Sequence, residues 1–438
     1  MPNAGNDNVT VINGATDSVA ATVTVAEWPQ ALCYNTQNSR VYCANYNSGN
    51  VTVIDGATNS VLATVTAGSN PSALCYNAQD NKVYAANVGS YLNYDSTVTV
   101  IDGSTNSVLA SVTVGRAPCC LAYSSQDNKI YTANWSSSDV TVIDGATNSV
   151  VATVTTGDAP GALCYNQQNN KVYCANLGGD NVTVIDGATD SVVATVTTGD
   201  APRALCYNPQ NNKVYCANEG SRNVTVIDGT TNQVIATVTT GYWPRALCYN
   251  SLNDRVYCAN YDDGTVTVID GATDVVLATV PAAGASLCYN PLNNKVFCAN
   301  DTSDYVTVID GGSSGVLGSI RVGDGPWAFA WNPVQNRTYV ANYNGSSISV
   351  LRDSASGIEE SFRPQVTSSR PAATVIRNVL SMPEARGELL DISGRKVLDL
   401  KPGPNDVRTL APGVYFVREE PQAASHEPQA VRKVVLAR

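Results

Sequence analysis

Thirteen cysteines are the most reactive side chains in this sequence, and their spacing limits what they can do. Six lie in Ala-Leu-Cys-Tyr-like segments (Cys33, Cys75, Cys164, Cys206, Cys248, Cys288) and five in Val-Tyr-Cys-Ala-like segments (Cys43, Cys174, Cys216, Cys258, Cys298), while Cys119-Cys120 breaks the pattern. An odd number excludes a fully paired disulfide framework, and without Cys-x-x-Cys spacing zinc is disfavoured. Two readings stay open. The thiols are small buried hydrophobes standing in for Val, or pairs such as Cys33 with Cys43 bridge adjacent strands, which a one-residue slip of register would forbid.

Other catalytic chemistry is sparse. The single histidine, His426, argues against His-based triads, haem ligation and His-centred metal sites. Asp55, Asp102, Asp144, Asp186, Asp228, Asp270 and Asp310 each precede a glycine and read as acceptors for turn N–H groups. Asp262-Asp263-Gly264 and Asp301 with Asp304 offer oxygen ligands, but no twelve-residue calcium loop surrounds them. No cofactor is expected, with Ca²⁺ the one alternative left open. No nucleophile elbow or phosphate loop stands out, so a non-catalytic role is expected.

These residues must be positioned by repeating elements. Ile-Asp-Gly or a near variant starts at Ile12, Ile54, Ile101, Ile143, Ile185, Ile227, Ile269 and Ile309, at spacings of 42, 47, 42, 42, 42, 42 and 40. Each unit reads as four strands: A (Ala-Leu-Cys-Tyr), B (Val-Tyr-Cys-Ala), C (Val-Thr-Val-Ile) and D (Val-Ala-Thr-Val). β-Branched alternation and Asp-Gly or Asn-rich turns argue for antiparallel strands, and 3.6-residue apolar spacing is absent. Four such strands per repeat predict propeller blades. Seven complete blades run over residues 31–322, and the chain then supplies A, B and C strands of an eighth. The missing D strand lies at residues 18–25, so the ring is expected to close by pairing the two ends of the repeat region. Residues 9–12 and 348–351 then compete for one C position. The fold class is therefore all-β: an eight-bladed β-propeller of ~42-residue four-stranded repeats, followed by a small C-terminal β-sandwich-like domain.

Tyr-Cys-Ala-Asn followed by Asn-Val-Thr-Val-Ile-Asp-Gly-Ala-Thr-Asn-Ser-Val resembles the YVTN-type β-propeller repeat, with Cys where that family usually has Val. The resemblance covers residues 1–353 and implies a bacterial or archaeal surface or exported protein with a scaffold or binding role.

Antiparallel order places the A–B and C–D turns at one end of the ring and the B–C and D–A loops at the other. The first end is monotonous from unit to unit and the second varies, including a longer B–C loop at 88–96 and a shortened D–A loop at 281–285. Binding concentrates on loops carried by a rigid scaffold, although loops also drift freely. The variable rim carries Trp28, Tyr46, Trp135, Arg203, Trp243, Arg245, Tyr261, Trp327 and Tyr343, residue types that anchor interfaces or stack on sugars and peptides. These nine are the candidate ligand-binding residues. The alternative is that each Trp packs between blades.

Net charge is −13 over residues 1–353 (14 Lys+Arg against 27 Asp+Glu) and +2 over the remainder (12 against 10). This acidity disfavours nucleic acid, and no apolar run approaches the ~20 residues of a membrane-spanning helix. Residues 354–373, with several Ser and Pro, read as a linker. Beyond it, Leu390-Asp391-Ile392-Ser393-Gly394-Arg395-Lys396-Val397, Leu410-Ala411-Pro412-Gly413-Val414-Tyr415-Phe416-Val417 and Lys433-Val434-Val435 resemble the C-terminal sorting domain of the type IX secretion system. The resemblance assigns that domain to residues 374–438, with its opening strands shortened around 378–387. It implies export across a bacterial outer membrane, with secretion machinery as a partner and an extracellular protein or glycan as the ligand. That route requires a signal peptide, whereas Met1 runs straight into Asn8-Val9-Thr10-Val11, so the start is expected to be truncated or mature. Two alternatives stand beside a secreted or surface-displayed binding scaffold: a lyase or lactonase-like hydrolase with a central-channel site, and a self-assembling surface array.

Overall fold

The computed structural model describes residues 10–11 and 23–352, and then 374–376, 379–382, 387–390, 395–401, 403–406, 413–419 and 431–436. The chain divides into two compact units, Met1–Glu360 and Ser361–Arg438.

The first unit is the eight-bladed ring. Seven sheets each hold four consecutive antiparallel strands; in blade 4 they are Pro160–Asn166, Lys171–Asn176, Asn181–Asp186 and Ser191–Thr197. B and C strands are almost wholly buried, while A strands are half-buried and D strands largely exposed on the perimeter. Each A strand pairs only with its own B strand, which leaves its other backbone edge facing the axis. Between blades, Tyr173 and Val184 of blade 4 pack on Leu205 and Val214 of blade 5, and this contact recurs around the ring.

The eighth blade is Pro326–Asn332, Arg337–Asn342 and Ser347–Arg352, completed from the other end of the repeat region. Val23–Thr24 pairs antiparallel with Ile348 and Ser347, in the expected D position. The competition for the C position resolves differently from expectation. Residues 348–351 take it, and Thr10–Val11 lies parallel to Ser349–Val350 on the same outer edge, beside the D strand rather than displaced by it. Across the seam, Arg337 Nη1 donates to Gly56 O (2.8 Å) and Asn59 Oδ1 (3.1 Å) of blade 1.

That seam contact explains the monotonous end. In blade after blade the B-strand Tyr and the cation two residues before it reach into the next blade's C–D turn. Tyr131 and Lys129 bind Asp190 at 2.9 and 2.8 Å, and Tyr215 and Lys213 bind Asp274 at 2.7 and 2.8 Å. The last residue of one A strand clamps the next A–B turn, as Asn166 Nδ2 does on Asn212 Oδ1 (2.8 Å). Asn170, Asn212 and Asp190 also sit at positive φ, where Asn and Asp are the tolerated non-glycine residues. Backbone geometry and the inter-blade bonds both fix the residue type, so this end has little freedom to vary.

The seven turn carboxylates behave as expected. Asp186 Oδ1 accepts the Thr189 N–H and hydroxyl, both at 2.9 Å. Such bonds hold all seven, from Asp55 to Asp310, below the ordinary carboxylate range. A depressed folded pKa contributes stability that is complete above about pH 4 and is lost as pH falls through the folded value. Urea denaturation is therefore expected to show a midpoint that is unchanged near pH 5 and declines below about pH 4, as these carboxylates protonate.

Two local expectations need correction. Residues 88–96 are not a loop: the strands Lys82–Ser90 and Asn93–Asp102 continue as a hairpin, with Gly89 opposite Tyr94 and Ser90 opposite Asn93. At its tip Tyr91 and Leu92 are 84% and 91% exposed. The disulfide reading also fails. Leu32 stands opposite Cys43 and Cys33 opposite Tyr42, so the two thiols point to opposite faces of the sheet. All thirteen cysteines are free, and burial pushes thiols such as Cys33 and Cys206 up to about 12. In native protein at pH 8 the five fully buried B-strand thiols (Cys43, Cys174, Cys216, Cys258 and Cys298) are expected to resist a thiol reagent such as dithionitrobenzoate, with thirteen thiols titrating once denatured. Fast reaction of all thirteen in the native state would contradict this burial.

In the second unit, Thr374–Ile376, Val431–Leu436, Gly413–Glu419, Gly387–Leu390 and Lys396–Leu400 form one sheet in that order, and Val379–Met382 pairs with Gly403–Asp406 in another. Of the three sequence motifs, 390–397 and 410–417 fall partly and 433–435 wholly on these strands. Residues 354–373, read as a linker, lie outside the described residues, as do 391–394.

Candidate functional site

A β-bulge builds the site. In seven blades the first A-strand residue is Pro, paired with the last B-strand Asn, and the register then skips one residue before Ala or its equivalent. The skipped residue has no partner, so the ladder turns it out of the sheet. These residues are Gln30, Ser72, Cys119, Gly161, Arg203, Arg245 and Trp327, a column whose chemistry changes almost from blade to blade. Blade 7 lacks the bulge, because its shortened D–A segment brings Ser286 straight into register with Ala299.

The first residues of the B–C loops surround this inner ring. Gln30, Ser72, Cys119, Gly161 and Arg203 line one cavity of about 320 Å³ with Tyr46, Val88 and Trp135. Trp135 leans onto the next blade, where a Cβ on Gly161 would stand 3.1 Å from its ring, so glycine is the residue that fits beneath it. The Ser72 hydroxyl is buried and has no hydrogen-bond partner. Burial pushes the Cys119 thiol up to about 12, so it is not a thiolate nucleophile at neutral pH.

The rest of the mouth is an aromatic arc. Trp28 lies 4.9 Å from Tyr343 and 6.1 Å from Tyr46, and Trp327 lies 5.9 Å from Tyr343, so blades 8 and 1 share one cluster across the seam. In blade 6, Trp243 and Tyr261 stack at 6.5 Å and 9°. The Arg245 guanidinium carbon sits 5.0 Å from both the Tyr261 and the Trp327 ring centroids, joining blade 6 to blade 8 across the low segment of blade 7. Arg203 lies 4.0 Å from Glu219. Tyr261 donates to Asp301 Oδ2 (3.1 Å), and burial followed by the Asp301 charge raises its pKa.

All nine sequence-predicted residues therefore stand at the same mouth. Seven form the arc, and Trp135 and Arg203 join Tyr46 in the cavity. Gln30, Ser72, Cys119, Gly161, Val88, Glu219 and Asp301 were missed; the signal was the variable column after each A-strand Pro. Trp28 and Trp243 add a further mark. They are 39% and 48% exposed at a position whose positive φ is shared by Asn70, Ala117, Ala159, Ala201 and Gly325, the smaller residues that hold it in five other blades. The left-handed backbone is common to these blades, so what sets Trp28 and Trp243 apart is a large aromatic surface left half-exposed at the mouth.

Two of the four calcium candidates are already engaged. Asp263 Oδ2 accepts the Tyr242 N–H (2.6 Å), and Asp301 holds Tyr261. Among the described residues no group of three or more His, Cys, Asp or Glu side chains is placed to hold a metal ion.

Residues 55–233 match the family model described as Lactonase, 7-bladed beta-propeller, a stretch reaching from blade 1 into blade 5 of a ring that here has eight blades. No curated protein matches the chain. Among solved structures, the ring is similar to the computationally designed Ika8 protein (20% identity, TM-score 0.64, 80% of this chain and 100% of that one). It is also similar to Saccharomyces cerevisiae Sqt1 (10%, 0.65, 80% and 100%) and to hydrazine synthase of Kuenenia stuttgartiensis (16%, 0.53, 76% and 98%). At these identities the likeness concerns the fold.

Proposed function

We propose that the propeller is a non-catalytic binding module, secreted or displayed on a bacterial surface, which holds an extracellular ligand at the bulged mouth of its channel. The C-terminal unit would serve as the address for a type IX-like export route. The observation that carries the binding reading is the contrast between the two ends of the ring. One end repeats because clamps fix its residues, while the other turns six different residue types out of the ladders of seven blades and exposes two tryptophans.

The test is capture of the full chain on glycan and peptide arrays, with Trp28→Ala and Trp327→Ala variants. Both substitutions suit the fold, since three blades already carry Ala where blade 1 has Trp28, and the bulge position tolerates five other residue types. Each variant is expected to lose capture while stability changes by no more than about 1.5 kcal/mol, the upper value for an aromatic pair. Unchanged capture by both would refute the site.

The partial lactonase match favours a second reading, a hydrolase using the same mouth. It predicts lactone hydrolysis that Glu219→Gln abolishes. The exposed aliphatic pairs of the outer strands, such as Val61-Leu62 and Val234-Ile235, favour a third, lateral self-assembly, which light scattering on purified protein decides.

A further inference from the structure

The mouth also carries chemistry that selects among ligand classes, and this deepens the binding reading on which it rests. We infer that it takes an uncharged saccharide chain, one part lodged in the cavity between Tyr46 and Trp135 and the remainder leaving over blade 7.

The loops that frame the mouth have little backbone to offer a ligand. The first B–C loop residues spend their N–H groups within their own blades: Tyr46 on Trp28 O (2.8 Å), Trp135 on Ala117 O (2.9 Å), Tyr261 on Trp243 O (2.9 Å) and Tyr343 on Gly325 O (2.7 Å). These loop residues therefore leave no free N–H for a ligand, and at the outer frame of the mouth reading falls to side chains. Among the side chains of the cavity and the aromatic arc the formal charges offset, with Arg203 near Glu219 and Arg245 and Asp301 both in contact with Tyr261. A charged ligand would have to break one of these arrangements.

What remains is aromatic surface with hydroxyl-type partners. Ser72 Oγ and Asp301 Oδ1 are buried without hydrogen bonds, and the Gln30 side chain shares the cavity with Ser72. Such orphan groups are costly unless a ligand or water satisfies them. A sugar ring supplies both halves of the match, an apolar C–H face for a tryptophan or tyrosine and hydroxyls for Ser72 and Asp301. A cavity of about 320 Å³ lies at the small end of ligand pockets, which suits a short stretch of a chain. The exit is blade 7, where 282–285 is Ala-Ala-Gly-Ala and no bulge residue stands in the way.

The experiment is tryptophan fluorescence and calorimetry on the full chain, four of whose five tryptophans belong to the mouth. The probes are cellohexaose, xylohexaose, mannohexaose and chitohexaose, with hexagalacturonate as the charged chain and a random peptide library as the other class. At least one neutral hexasaccharide is expected to bind, with an affinity nearly unchanged between about 50 and about 500 mM NaCl, because no ion pair forms. Trp135→Ala is expected to weaken that binding about tenfold or more, and Ser72→Ala by a few-fold. Binding of hexagalacturonate alone, an affinity that collapses with salt, or binding of peptides alone would overturn the saccharide assignment while leaving a binding module. Binding of none of the probes would overturn both.

Discussion

Tyr215→Ala is expected to destabilise the ring by about 3–5 kcal/mol, the range for removing a large buried ring from a core. Tyr215 is fully buried and packs with Val226 on Val256 and Ile269 of the next blade. Its hydroxyl donates to Gly271 O (3.2 Å) and Asp274 Oδ1 (2.7 Å). Alanine leaves a cavity at a blade seam and strips the Asp274 carboxylate of one partner, with Lys213 remaining. Tyr215→Phe keeps the packing and isolates the hydroxyl, so it is expected to cost about 1.5–3 kcal/mol, the value for a bond to a charged group. Ile235→Ala, half-exposed on the perimeter of the same blade, should move the urea midpoint little. A midpoint for Tyr215→Ala equal to that of Ile235→Ala would remove the seam from the account of stability.

Deleting residues 1–25 is expected to be more severe. It removes Val23 and Val25, which pack in one core with Val41, Ile54, Ile348 and Val350 from both sides of the closure. It also uncovers the outer edge of Ser347–Arg352, and an open edge of apolar and small residues recruits other chains. Light scattering after size exclusion should show aggregates or large oligomers beside the better-behaved full chain. A truncated protein with the size and urea midpoint of the full chain would mean that the N-terminal strand is dispensable.

The repeat made most of the ring legible, because each strand type carries its own residue signature and the D strand absent after residue 352 is found before residue 26. The aromatic and arginine part of the mouth was legible by residue type. What escaped notice depends on pairing between strands. The bulge is a relation between Pro29, Ala31 and their partners Asn45 and Ala44, which no A-strand sequence displays alone. The same register separates Cys33 from Cys43. The hairpin at 88–96 hid because Tyr91-Leu92 lacks the Asn-Gly or Gly-x signature of a two-residue turn. Thr10–Val11 gave no sign of parallel pairing because its Val-Thr-Val-Ile setting is that of every C strand. Ser72 and Gly161 are small residues without distinctive chemistry, and they matter through the tryptophan and the cavity beside them.

The whole arrangement, including the Trp28–Tyr343 contact, depends on the first strands of the repeat region completing its last blade. Thr24 and Ser347 are cross-strand partners, so Thr24→Cys with Ser347→Cys can form a bridge that makes the ring a covalent circle. A protease site placed between Gly178 and Gly179, in an exposed loop of blade 4, then cuts the circle opposite the seam. After oxidation and cleavage, a non-reducing gel is expected to show one species that separates into two fragments only on reduction. Two separate fragments without reductant would mean that the ends do not meet.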